Sequence, residues 1–259
     1  MMRHLLGLFL KTFYPLSPLA SLEGRQIDLL LNLIHIQMAI LFAGWAVYFV
    51  YVLWRFRKKK NPKASYHGLS NRVSIGIEVA IVLAEVILLT CISIPFWKNY
   101  MTQVPNNKNK IEIQVVAQQY TWNMHYPSPD GKFGRMDERF YDAEDNPMGL
   151  DPNDPDGKDN FVSVNEMHVP LGKMVLIDLT AKDVIHSFTL PDMRIKRDAI
   201  PGMRVQIWFT PIKEGTFDIV CSQLCGLGHY RMKGVLTVES PEQFKLWVKS
   251  HTTLYSANP

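Results

Sequence analysis

Two cysteines, a histidine and a methionine stand close together near the C-terminal end of the chain. The segment reads Cys221-Ser-Gln-Leu-Cys225-Gly-Leu-Gly-His229-Tyr-Arg-Met232, and a second histidine, His186, precedes it. Thiolates, imidazoles and a thioether, taken as a set, select copper over hard cations such as magnesium and calcium. The residue types and their spacing therefore predict a copper site.

The second thiolate separates this pattern from a single-copper electron-transfer site, which needs one cysteine, two histidines and a weak methionine. Two thiolates can each bridge two metals, so that two copper ions lie close together and share one electron. Each copper then takes one imidazole and one weaker ligand. The Met232 thioether is one weak ligand, and a backbone carbonyl is the other, for which Gln223 lies between the thiolates. The pattern predicts a dinuclear centre that relays single electrons and leaves no open position for a substrate.

Two alternatives for the cysteines stay open at this point. One is a disulfide between Cys221 and Cys225 in an oxidising compartment. The other is a structural zinc site formed by the two cysteines with His186 and His229. Neither alternative accounts for the methionine of the loop. The third cysteine, Cys91, falls in an apolar segment and is predicted to be a small packing residue.

Two apolar segments lie upstream, over about 29–54 and 75–97. Each is long enough to cross a hydrocarbon layer about 30 Å thick. The loop between them, 55–74, is crowded with arginine and lysine, which mark the cytoplasmic side of a membrane. The sequence predicts a transmembrane helical hairpin over 27–98, with both chain ends outside the cytoplasm, after a leader or signal-like segment over 1–26. Basic residues placed beside apolar spans argue against nucleic-acid binding.

The second apolar segment contains two glutamates, Glu78 and Glu85, which are two helical turns apart and share a face. Ionisable groups within a bilayer are costly and usually face protein or water. For Glu78, one interpretation is a position at the cytoplasmic headgroups and the other is the mouth of a proton path shared with a partner subunit. Glu85 lies deeper in the apolar segment than Glu78, and its position indicates that this helix packs against another membrane protein.

Beyond the hairpin the pattern changes to short alternating strands separated by proline and glycine turns. An all-β Greek-key barrel with the metal ligands at one end is predicted over 99–240, with an acidic insertion over 127–160. Ser240 followed by Pro241 predicts a short C-terminal helix within 241–259. The predicted strands include Ile111–Val116, Lys173–Leu179, Arg204–Phe209, Thr216–Val220 and Gly234–Val238.

The hairpin, the segment Asp183-Val-Ile-His-Ser-Phe, the segment Arg194–Gly202 and the cysteine loop together resemble subunit II of haem–copper cytochrome c oxidase of the bacterial type. The resemblance runs from about residue 20 to residue 250. It implies a cupredoxin fold with a dinuclear copper A centre. It also implies an electron path from reduced cytochrome c through copper A to haem a in subunit I of a proton-pumping oxidase, where oxygen is reduced to water. The implied copper ligands are His186, Cys221, the Gln223 carbonyl, Cys225, His229 and Met232.

The resemblance further implies the partners and the location of the chain. The implied partners are subunit I, which holds the haems and copper B, subunit III, cytochrome c and the lipid bilayer. The implied location is the bacterial inner membrane, with a multi-pass anchor and with the N-terminus and the copper domain on the periplasmic face. The alternative function is a membrane-anchored periplasmic copper carrier or assembly factor. A closed set of six ligands is poorly suited to release copper.

Two departures from the family pattern lie close to the copper loop. The family usually has glutamate where this chain has Gln223, and its carboxylate also holds a magnesium ion at the subunit I boundary. A neutral amide is a weaker ligand for a hard cation, which weakens the expectation of magnesium here. The family's electron-accepting tryptophan is replaced by tyrosine in Gln119-Tyr120-Thr-Trp122. Tyr120 or Trp122 is therefore expected to receive electrons.

The resemblance assigns Glu78 to the glutamate that opens a proton pathway into subunit I, and it gives Glu85 no role. The acidic insertion has ten acidic and four basic residues. It is interpreted either as a docking surface that steers a basic cytochrome c or as a solvated loop for contacts in the assembly. The run Asp151–Gly157 hints at calcium, but Pro155 occupies a ligand position of the EF-hand spacing.

Overall fold

The computed structural model describes the chain in five stretches, and these fall into two units. Residues 26–103 form one unit, and the residues on either side of it form the other. Residues 1–16 of the predicted leader and residues 64–71 of the predicted basic loop lie outside the described residues. The described stretches are 17–63, 72–101, 104–107, 109–128 and 130–257.

The helical unit contains the two predicted apolar spans. Helix α1 covers Gly24–Arg55, and a second helix begins as α2, Arg72–Ile87, continues through a π-helical turn, Leu88–Ser93, and ends as α3, Ile94–Met101. Both helices are long and apolar enough to cross a membrane. Large apolar side chains such as Phe42 are exposed along them. This exposure suits contact with lipid or with another membrane protein, and the prediction of two apolar helices is confirmed.

Pro95 explains why the second span is not a uniform α-helix. Proline has no N–H, so the carbonyl of Cys91, four residues earlier, lacks its helical donor. The hydrogen-bond ladder shifts just before that point, because the amide of Ile94 donates to the carbonyl of Leu89, five residues back. Widened turns of this kind relieve such a mismatch. The second span is therefore a helix with one widened turn.

The second unit contains a sandwich of two five-stranded sheets. The strands are β1 Ile111–Gln118, β2 Thr121–Tyr126, β3 Phe161–Val164, β4 Glu166–Pro170, β5 Val175–Ala181, β6 His186–Leu190, β7 Ile195–Ala199, β8 Val205–Phe209, β9 Gly215–Cys221 and β10 Lys233–Glu239. One sheet has the order β3-β2-β1-β5-β8 and the other has the order β4-β10-β9-β6-β7. Strands β1 and β5 are parallel, as are β4 and β10, and the other pairs are antiparallel. The predicted all-β Greek-key domain is confirmed.

The core of the sandwich follows from the two-residue period of its strands. In β1, the side chains of Ile113, Val115 and Ala117 are fully buried, and the residues between them are only partly buried. Trp122 on β2 and Phe188 on β6 meet edge to face, with ring centroids 5.2 Å apart. Burial of a large apolar side chain stabilises a fold by about 1.5–3 kcal/mol. The packed core holds both sheets in register beneath the metal loop.

The residues just before α1 are part of the sandwich unit. The amide of Ala20 donates to the backbone carbonyl of Asp192, and the amide of Ile212 donates to the carbonyl of Ala20. Ser21 is fully buried, and its hydroxyl donates to the carbonyl of Met193 at 2.7 Å. From Ser17 onward, the predicted leader is thus hydrogen-bonded into the β domain.

The acidic insertion is an ordered excursion between β2 and β3 in its described residues. Asn160 organises its base, because its amide group donates to the Ser128 hydroxyl and to the carbonyls of Lys132 and Asp156. The side-chain oxygen Oδ1 of Asn160 accepts from the backbone amide of Gly134 and lies 2.6 Å from Nε2 of the buried His125. These bonds give the insertion a defined shape on the side of the sandwich.

The predicted C-terminal helix is observed as α4, Pro241–Ala257. The Ser240 hydroxyl accepts the amide of Gln243 at 3.3 Å, and the Gln243 side chain accepts the amide of Ser240 at 3.1 Å. This reciprocal pair is a capping box. On the buried face of the helix, Trp247 stacks on His168 with ring centroids 4.2 Å apart. The helix thereby packs on the sandwich.

Candidate metal centre

The predicted metal ligands meet because three neighbouring strands of one sheet begin or end at the same end of that sheet. His186 is the first residue of β6, and Cys221 is the last residue of β9. Met232 directly precedes β10 and follows a short 3₁₀ turn that begins at His229. Because β9 lies between β6 and β10 and is antiparallel to both, these ends are adjacent. The loop that contains Cys225 closes over them.

The structure brings all six predicted ligands together. The donor atoms of His186, Cys221 and Cys225 lie within 4.8 Å of one another. The two sulfurs are 3.9 Å apart, and the Cys225 sulfur is 3.6 Å from Nδ1 of His229. The thioether of Met232 lies 3.2 Å from Nδ1 of His186 and 3.8 Å from the Cys225 sulfur.

These distances suit shared metal coordination. Donors at about 2.0–2.3 Å from one tetrahedral metal lie roughly 3.3–3.8 Å from each other. The carbonyl of Gln223 is 3.2 Å from the Cys221 sulfur, while the residue as a whole is exposed. The backbone oxygen of Gln223 therefore lies beside the Cys221 sulfur.

Burial divides the ligand set. His186, Met232 and Cys225 are buried, with exposures of 0%, 1% and 4%, whereas Cys221 and His229 are half-buried. Three large side chains of the same loop are strongly exposed. They are Leu224, Leu227 and Tyr230. The site thus has a closed inner side and an outer side that faces the surface.

Asp183 orients the buried histidine. Its Oδ1 lies 2.8 Å from Nε2 of His186. A neutral imidazole has one proton, and a proton on Nε2 that is donated to Asp183 leaves the Nδ1 lone pair free for a metal. Burial raises the pKa of the Asp183 carboxyl, but hydrogen bonds from His186 and from the amides of Gln119 and Val184 outweigh it, so that the pKa lies below its usual value.

The two cysteines need a bound cation beside them if both are to be thiolates. Burial, followed by the neighbouring Cys221 sulfur, raises the pKa of the Cys225 thiol to about 11. Two thiolates in this place repel each other and need a positive charge between them. The structure leaves all three cysteines of the chain unpaired. The chemistry of the donor set, two sulfurs, two imidazoles and a thioether, fits copper and accounts for Met232.

The two candidate electron-accepting residues occupy different depths. Trp122 is fully buried, and its ring lies 6.2 Å from the ring of His186. Tyr120 is half-buried and lies against the metal loop. A Cβ placed on Gly228 would lie 2.6 Å from the Tyr120 ring, and one on Gly226 would lie 2.6 Å from its hydroxyl. The two glycines therefore permit direct contact between Tyr120 and the loop.

Glu78 and Glu85 both lie in the helical unit, and both are exposed. The hydroxyl of Ser74 donates to Glu78 at 3.2 Å, one helical turn away. The exposure of both glutamates on one helix face is consistent with a surface for another membrane protein.

Sequence reasoning missed two residues that shape the site. Asp183 lies three residues before His186, and this spacing could have suggested a carboxylate that orients the imidazole. Gln119 left no such signal, yet its side chain donates to the carbonyl of Cys225 at 2.6 Å. That contact depends on the turn between β1 and β2 meeting a loop of the other sheet.

The chain is similar to known proteins over most of its length. The family model of cytochrome c oxidase subunit II, periplasmic domain, matches residues 111–239. An alternative cytochrome c oxidase subunit 2 from Bradyrhizobium diazoefficiens is 33% identical over 244 residues, which cover 92% of this chain and 84% of that protein. Cytochrome c oxidase subunit 2 from Cereibacter sphaeroides is 28% identical over 250 residues, which cover 90% of this chain and 78% of that protein.

A solved structure of the periplasmic domain of subunit II of cytochrome oxidase from Bradyrhizobium japonicum is 31% identical. The matched region covers 59% of this chain and 99% of that domain, with a TM-score of 0.44. The identity and coverage of the relative from Bradyrhizobium diazoefficiens, together with the family match across the sandwich, establish the family of this chain. The chain belongs to the cytochrome c oxidase subunit II family and is thus a subunit of a haem–copper terminal oxidase, an oxidoreductase complex.

Proposed function

We propose that this chain is the subunit through which electrons enter a proton-pumping terminal oxidase. It accepts them from reduced cytochrome c at a dinuclear copper A centre and passes them to haem a in subunit I, where oxygen is reduced to water. The observation that carries the proposal is the convergence of five side chains and one carbonyl at one end of the sheet, with neighbouring donor atoms 3.2–3.9 Å apart.

The residues of this chain hold such a centre in place. His186, Cys221, the Gln223 carbonyl, Cys225, His229 and Met232 are the proposed ligands. Two bound copper ions supply a one-electron carrier there. Three of the six ligands come from buried residues, so the protein fixes the ligand positions before a metal binds, and little of the site rearranges during electron transfer.

The alternatives explain the geometry less well. A disulfide between the cysteines does not explain why His186, His229 and Met232 converge on the two sulfurs. A structural zinc site takes four ligands and also leaves out Met232. A copper carrier needs ligands that open to a partner, whereas His186, Cys225 and Met232 are buried here.

Tyr120 is the proposed first acceptor of electrons. Its half-buried ring lies on the metal loop at Gly226 and Gly228, next to the ligands Cys225 and His229. The indole of Trp122 is enclosed in the core beside His186, where an external donor protein has no direct contact with it. We assign Trp122 to the packing behind the centre.

The acidic insertion supports docking of a basic cytochrome c. Tyr141 fixes the insertion to the metal end of the sandwich, because its hydroxyl accepts from Gln118 at 2.9 Å and the Lys182 ammonium lies over its ring. Gln118 and Lys182 directly precede Gln119 and Asp183 in the chain. The exposed acids close to Tyr141, Glu138 and Glu144, therefore lie on the electron-accepting side, where opposite charges speed encounter.

The remaining assignments concern the assembly. We propose that the hairpin binds subunit I, with subunit III also present, in a bacterial inner membrane, and that the basic loop faces the cytoplasm while the copper domain faces the periplasm. Glu78 is the proposed mouth of a proton path. Because Gln223 offers an amide in place of a carboxylate, we propose no magnesium ion at that position.

The proposal predicts a defined copper content. The full-length chain, purified in detergent and loaded with copper, is expected to bind two copper ions, and Cys225→Ser is expected to bind at most one, because a serine hydroxyl does not replace a bridging thiolate. Cys91→Ser, in the helical unit, is the matched control and should bind two. Metal content after dialysis measures this. Two copper ions in Cys225→Ser, or preference for zinc over copper in the parent chain, would contradict the proposal.

A further inference from the structure

Gln119 is the residue through which the first sheet reaches the metal site. It lies in the turn between β1 and β2, whereas the copper ligands lie at an edge of the second sheet. Its backbone amide donates to Oδ2 of Asp183 at 2.7 Å. Its side-chain amide donates to the carbonyl of Cys225 at 2.6 Å. One residue therefore binds two separate segments of the site.

Each of these segments controls a different ligand. Through its other oxygen, Asp183 binds Nε2 of His186 at 2.8 Å, and the same oxygen accepts the amide of Val184 at 2.7 Å. The carbonyl of Cys225 belongs to the residue that supplies the buried thiol. Gln119 thus connects the carboxylate that orients the histidine with the backbone that places the thiol.

The side chain of Gln119 lies close against the backbone of Gly226 in the metal loop. Gly226, which follows Cys225, has φ +136°, a backbone conformation that residues other than glycine rarely adopt. A Cβ at Gly226 would lie 2.7 Å from Nε2 of Gln119. The lack of a side chain at this position is what lets the Gln119 amide reach the Cys225 carbonyl.

We propose that Gln119 is a positioning residue of the metal centre, which holds the Cys225 segment at a fixed distance from the Asp183–His186 pair. The proposal rests on the proposed copper function. Without the side-chain amide, the Cys225 carbonyl turns to water, and the two ligand segments move independently. The two copper environments then become unequal, and copper dissociates more easily.

The test compares the copper-loaded full-length chain with Q119M, Q119H and Q206M. Methionine keeps the length of glutamine but removes the donor, histidine keeps an N–H donor, and Gln206 is an exposed glutamine of β8. In Q119M we expect the unpaired electron to be shared unequally between the copper nuclei, as measured by electron spin resonance. We also expect loss of copper to a chelator to be about fivefold to tenfold faster, since one hydrogen bond is removed.

Q119H is expected to restore most of the parent behaviour, and Q206M is expected to match the parent. If Q119M keeps both the parent spectrum and the parent rate of copper loss, the positioning role is wrong while the copper function stands. If the parent itself lacks a signal shared between two copper nuclei, the proposed function fails, and the positioning role fails with it. Should Q119M not fold, Q119N has the same expected result, because its amide is one methylene too short to reach Cys225.

Discussion

At the scale of single residues, hydrogen bonds to ring nitrogens decide which histidines are available as ligands. His186 turns Nδ1 to the sulfurs because Asp183 binds Nε2. His125, in contrast, is enclosed beneath the acidic insertion, where Nε2 contacts Asn160 and Nδ1 contacts Gln114. Both histidines are fully buried, and only the first has a free lone pair beside soft donors.

The burial of His125 leads us to expect that the stability of the folded chain depends on pH. Burial lowers the pKa of His125 from 6.5 to about 4, although the hydrogen bond to Asn160 works in the opposite direction. The unfolded chain therefore binds a proton that the folded chain does not, so stability is lost as the pH falls from 6.5 towards 4. The contribution between pH 7 and pH 4.5 is about 2 kcal/mol.

His125→Gln keeps a donor for Asn160 and does not titrate. We expect the free energy of unfolding of this variant, measured with urea on the full-length chain, to fall less between pH 7 and pH 4.5 than that of the parent. Parallel pH dependence in the two proteins would show that His125 is not the titrating group.

At the scale of elements, the acidic insertion begins at the end of β2 opposite to the β1–β2 turn and reaches back to that turn at Tyr141. The insertion is held at its base by Asn160 and near the turn by Tyr141. Its carboxylates also shape its turns, since Asp142 accepts the amides of Glu144 and Asp145. Asp154 accepts the amides of Asp156 and Arg135. These bonds account for the aspartate-rich run without a calcium ion.

Two exposed acids of the insertion, Glu138 and Glu144, test its role in docking. With both changed to glutamine, we expect reduced cytochrome c to reduce the purified oxidase complex about twofold to fivefold more slowly at low ionic strength. The difference should vanish at high salt, because screening removes the attraction.

Glu214→Gln is the matched control, since Glu214 is exposed in the turn between β8 and β9, at the opposite end of β9 from Cys221. Equal rates in the double variant and the parent at low salt would favour the solvated-loop interpretation of the insertion.

At the scale of the whole molecule, local patterns predicted more than contacts between distant segments. The apolar spans and the alternation in β1 predicted the helices and the sandwich, and the spacing from Cys221 to Met232 predicted the loop residues whose donor atoms the structure brings together. The position of Gln119 and the depth of Trp122 depend on how two sheets pack, which local spacing does not encode. The hydrogen bonds of Ala20 and Ser21 to the sandwich were missed for the same reason, since this short segment has no strand or helix period.

The central claim is that two copper ions in this chain share one electron. Electron spin resonance of the oxidised, copper-loaded, full-length chain tests it most directly. We predict a hyperfine pattern from one unpaired electron that is shared between two copper nuclei, and the loss of this pattern in Cys225→Ser. A pattern from a single isolated copper in the parent chain, or a silent protein that holds only zinc, would contradict the account.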